Sequence, residues 1–148
     1  MKINNNKGIT LIALTVAVVI LIIVSSILIY NAKNGIKIRN IKMMQNDIEA
    51  LDGLINAYYI KYGAIPASEL YNGESSNFKQ ENDNEKYYII DISALEGLTL
   101  NYGHKESTED VYIINEQSHH IYYPKGLELD GEWYYTNDTD EKIRLENE

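Results

Sequence analysis

Three histidines, His104, His119 and His120, are the residues whose type most directly suggests a metal ion. Neighbouring side chains on an extended strand or turn point to opposite sides, so His119 and His120 are poorly placed to share one ion. Solvated surface residues are the better reading of all three. Asn82-Asp-Asn-Glu85 and Asp138-Thr-Asp-Glu141 carry calcium-like ligand types but lack the ligand frame of a calcium loop, and read as solvated charge. Asn137-Asp-Thr139 fits a glycosylation sequon, a chance match in an Asn-rich chain. No serine sits in a nucleophile motif and no glycine-rich phosphate loop occurs. Trp133, Tyr134 and Tyr135 have the makings of a sugar or adhesive patch, yet a Tyr-rich strand more often packs on its neighbours. Cysteine is absent, which excludes disulfides, thiolate metal sites and a lipid-modified cysteine anchor. These residues point to no catalytic site, no metal and no cofactor; the chain does not read as an enzyme.

The apolar segment is more informative. No charge occurs between Lys7 and Lys33, and Ile9 to Tyr30 reads ITLIALTVAVVILIIVSSILIY. Such a run spans roughly 33 Å as a helix, close to the roughly 30 Å hydrocarbon core of a bilayer. It exceeds an ordinary signal-peptide core, and its leader is short and basic. Charge divides at the same end of the chain. The net charge of −9 conceals six Lys/Arg and no acid in residues 1–46, giving +6. The remaining seven bases and all 22 acids give −15 for residues 47–148. Two halves so different are suited to different surroundings. The acidic half repels phosphate backbones, so nucleic-acid binding is not expected of it alone, although a filament could still present a basic patch. Basic residues flank the apolar run on both sides (Lys2 and Lys7 before it; Lys33, Lys37, Arg39 and Lys42 after it), and by the positive-inside bias alone the count slightly favours the far flank as the cytoplasmic one, so orientation needs another source.

Lys7-Gly8-Ile9-Thr10-Leu11-Ile12-Ala13-Leu14, close to the start and opening an uncharged helix, resembles the processing signal of type IV prepilins and secretion pseudopilins. The resemblance implies cleavage after Gly8 by prepilin peptidase and N-methylation of the new terminus at Ile9. It also implies a leader in the cytoplasm, a C-terminal domain outside the cytoplasmic membrane, and later residence in a cell-surface filament or pseudopilus. The implied partners are other pilin subunits, prepilin peptidase, a membrane platform protein, an assembly ATPase, and the lipid bilayer before assembly. A glycine before the cut suits a peptidase that binds its substrate extended. The sequence departs from the family at Ala13, where a glutamate usually pairs with the amino terminus of a neighbouring subunit. Either the chain is a minor or tip subunit that needs no such partner, or its lineage assembles without the pair. The alternative is a signal-anchored extracellular binding domain that does not polymerise, or one released by cleavage near Val24-Ser25-Ser26.

Ile41, Met44, Ile48, Leu51, Ile55, Tyr58 and Tyr62 recur in steps of three and four, the stripe of an amphipathic helix. Asn46, Asp47, Glu49, Asp52, Asn56 and Lys61 are expected to face water. Gly35 interrupts the helix at a cost of about 1 kcal/mol relative to alanine, and is either a hinge or a tolerated glycine. Residues 63–86 are polar and rich in turn formers, the pattern of a long loop. Tyr87–Ile92 reads as a strand, and Ser93-Ala-Leu-Glu96 as a capping box opening a short helical turn. Val111–Ile114 and His120–Tyr123 flank a hairpin turn at 115–119, and Glu132–Thr136 reads as a last strand. Short connections favour antiparallel pairing. Twelve of the 13 tyrosines lie at or beyond Tyr58, suited to a small sheet with a wet outer face. The expected fold is α+β: one long N-terminal helix packed on a small antiparallel sheet of three to four strands. Its parts are a leader at 1–8, a transmembrane or filament-core helix at 9–30, an amphipathic continuation at 31–62, and a head at 63–136 on which helix 41–62 packs. A flexible acidic tail is expected at 137–148.

Overall fold

The computed structural model describes residues 6–72, 78 and 84–137, with side chains from Thr10 onward. One helix, α1 (Asn6–Tyr62), precedes six short strands. The strands are β1 (Ala67–Leu70), β2 (Tyr87–Ile90), β3 (Ile113–Asn115), β4 (Ile121–Tyr122), β5 (Leu127–Leu129) and β6 (Glu132–Tyr134). The chain divides into two compact units, Met1–Ile36 and Lys37–Glu148.

In the first unit every described side chain from Thr10 to Lys33 is exposed. The helix is long and apolar enough to cross a membrane. Its hydroxyls are satisfied inside it: Thr15 Oγ1 donates to the Leu11 carbonyl (2.9 Å) and Ser26 Oγ to that of Ile22 (2.8 Å). Polar groups bonded within the helix in this way are compatible with a hydrocarbon environment.

The second unit is the α+β head. Met44, Ile48, Leu51 and Ile55 of α1 pack with Ile90, Leu95, Leu100, Tyr112, Ile114, Ile121 and Tyr123. Tyr58 is half-buried against this cluster, whereas Tyr62, at the end of the expected stripe, is exposed. α1 stops where Gly63 donates to the Tyr59 carbonyl (2.8 Å), just before Pro66. The sheet order is β1-β2-β3-β4, antiparallel throughout, with Tyr88 opposite Ile114 and Ile114 opposite Ile121. Side chains alternate across it. Tyr88, Ile90, Tyr112, Ile114 and Ile121 face the helix, while Tyr87, Ile89, Val111, Ile113 and Tyr122 face the other way.

That second face differs from the wet surface expected. Tyr71, Phe78 and Tyr135 cover it, and the Phe78 ring lies 5.4 Å from Tyr122, 5.6 Å from Tyr135 and 6.0 Å from Tyr87. The tyrosines therefore build a second core rather than a solvated face. Four further expectations need correction. Residues 63–86 are not all loop: β1 lies within them, its side chains all exposed, so no apolar alternation marks it. The helical turn is a 3-10 turn at Ile92–Ala94 capped by Asp91, which accepts from the Ser93 N–H, so Ser93 does not open it. The connection from β2 to β3 runs over 91–112 and is not short, yet the strands pair antiparallel. The last expected strand divides: β6 pairs with β5 around Asp130-Gly131 as a separate hairpin, and Tyr135–Thr136 runs beside β4. The Tyr123 N–H donates to the Tyr135 carbonyl (2.7 Å) and Thr136 Oγ1 to that of Ile121 (3.0 Å).

Candidate functional site

Helical backbone begins at Asn6, so Lys7, Gly8 and Ile9 lie in the first turns of α1. The terminal N–H groups there have no intrahelical partners, so this is the part of α1 where fraying costs least. Lys2 and the rest of residues 1–5 lie outside the described residues. Ala13 is exposed, and no carboxylate occurs in the sequence before Asp47. Gly35 is helical, and a Cβ there would meet nothing within 4 Å. Its glycine is thus required by no packing in the subunit.

The head contains a polar arrangement absent from the expected list. Asp47, expected to face water, is buried at 3 % exposure. It sits three residues after Met44 and four before Leu51, on the flank of the apolar stripe rather than opposite it. Its carboxylate receives the backbone N–H of Asn101 (2.9 Å to Oδ2) and of Tyr102 (3.0 Å). The Asn101 side-chain amide (2.9 Å) and the Tyr112 hydroxyl (2.7 Å) complete the set. Asp110 repeats the device, accepting from the N–H groups of Gly103 (3.0 Å) and Glu106 (3.1 Å) and from the Tyr123 hydroxyl (2.6 Å). Burial, followed by the hydrogen bond to the carboxylate, raises the pKa of Tyr112 and of Tyr123, so both phenols are donors. Burial opposes ionisation of Asp110, but the Tyr123 hydroxyl, the two N–H groups and Lys125 together hold its carboxyl below the usual range.

Gly103 belongs to this arrangement. Its φ is +82°, and a Cβ would lie 2.7 Å from Cδ2 of Tyr112. Both carboxylates are buried, and each accepts hydrogen bonds on both of its oxygens. Their chemistry is to fasten the segment 100–110 to α1 and to the sheet.

The sequence candidates are scattered. His104 and His120 are exposed; His119 adopts φ +60° and meets the Tyr59 ring edge-on at 5.0 Å. His119, His120 and Asp52 line a recess of about 170 Å³ with Ile48, Ile121, Thr136 and Asn137. Among the described residues no three His, Cys, Asp or Glu side chains gather as a metal site. Trp133 stacks on Tyr135 with ring centroids 6.5 Å apart. Of the two acidic runs, only residues 84 and 85 are described, and 138–141 lie outside the described residues, as do the last two residues of the sequon. The tail at 138–148 also lies outside them. Beside β1 a groove of about 610 Å³ is lined by Leu70, Tyr71, Ile89, Lys105, Thr108 and Val111 among others. No family model, curated protein or solved structure matches the chain.

Proposed function

We propose that the chain is a structural subunit of the type IV pilin or pseudopilin kind, processed after Gly8 by prepilin peptidase and N-methylated at Ile9. The observation that carries this reading is the join of three parts. A Lys7-Gly8-Ile9-Thr10-Leu11 sequence opens α1, the apolar run that follows is exposed on every side, and a folded acidic head comes after it. An apolar helix with no covering protein needs lipid or neighbouring helices around it. Transfer from lipid to contacts with other subunits exchanges one apolar environment for another, and an assembly ATPase and platform protein would supply the work. The head's outward charge keeps it in water. On this reading the subunit resides in the cytoplasmic membrane, head outside, before assembly and in a surface filament or pseudopilus afterwards.

Fractionation of sheared surface filaments tests the reading. Recovery of the chain in the sheared fraction supports it; exclusive recovery in the membrane under pilus-producing conditions contradicts it. Ala13 favours a second reading, in which the anchored head binds a target without polymerising. That outcome would leave the chain at the membrane with a processed or unprocessed terminus.

A further inference from the structure

We draw no further inference here: the strongest candidate, the groove beside β1 that Leu70, Ile89, Val111 and the buried Tyr71 help to line, carries nothing because the Tyr71 hydroxyl, though without a hydrogen-bond partner, is itself closed off from solvent and nothing in the structure shows what covers the groove.

Discussion

Asp47 is the residue on which the head's polar interior turns. Its removal leaves two backbone N–H groups, an amide and a phenol facing a dry site, and each unmet donor costs about 1–3 kcal/mol. Asp47→Ala should therefore lower stability by about 3 kcal/mol or more, whereas exposed Asp52→Ala should stay within about 0.5 kcal/mol. Denaturant titration of the full chain in detergent, followed by tyrosine and tryptophan near-UV dichroism, separates the two. Asp110 adds a pH dependence. Because its folded pKa lies below the unfolded value of about 3.9, its contribution is present above that value and is lost as pH falls through the folded one. The melting temperature of the head should hold from neutral pH to about 4 and then fall, and Asp110→Asn should flatten the acid arm while lowering the neutral plateau. An unchanged acid arm in that variant would remove Asp110 as its origin.

At the scale of elements, α1 contains glycines with opposite expectations to the one in the 100–110 segment. A Cβ at Gly53 meets nothing within 4 Å, so Gly53→Ala should stabilise the head by about 0.5–1 kcal/mol. Gly103→Ala should destabilise it, because both the positive φ and the Tyr112 ring oppose a side chain there. Thermal melts of the two variants should shift in opposite directions. The helix was legible because periodicity over many turns reports burial directly, from Ile41 through Ile55. So was the β3–β4 hairpin, where two apolar runs bracket a polar turn. β1 was hidden because an edge strand with every side chain in solvent has no alternation; only its backbone declares it. Tyr71, Phe78 and Tyr135 were hidden for another reason. None of the three lies within a strand, and no local spacing connects them. Asp47 was misread because a charge on the flank of a stripe differs little, in sequence, from one on the far side. Only Tyr112 and the N–H groups of 101 and 102, far along the chain, decide between them.

For the molecule as a whole, charge and hydropathy divide the labour. Residues 1–46 carry no acid and include the uncovered apolar helix; residues 47–148 carry every acid, and most of the head lies among them. The head folds around two apolar clusters and two buried, hydrogen-bonded carboxylates, and neither cluster includes a residue of the apolar run. That run is long and apolar enough to cross a membrane. Its exposure is consistent with a plain anchor as well as with a filament core; entry into the proposed prepilin pathway is decided at Gly8. The mass of the amino-terminal peptide, taken from cells with and without prepilin peptidase, addresses that bond directly. Prepilin processing requires a peptidase-dependent terminus at Ile9 carrying one added methyl group. An intact leader in both strains, or a mature chain beginning at Ile27, would contradict it.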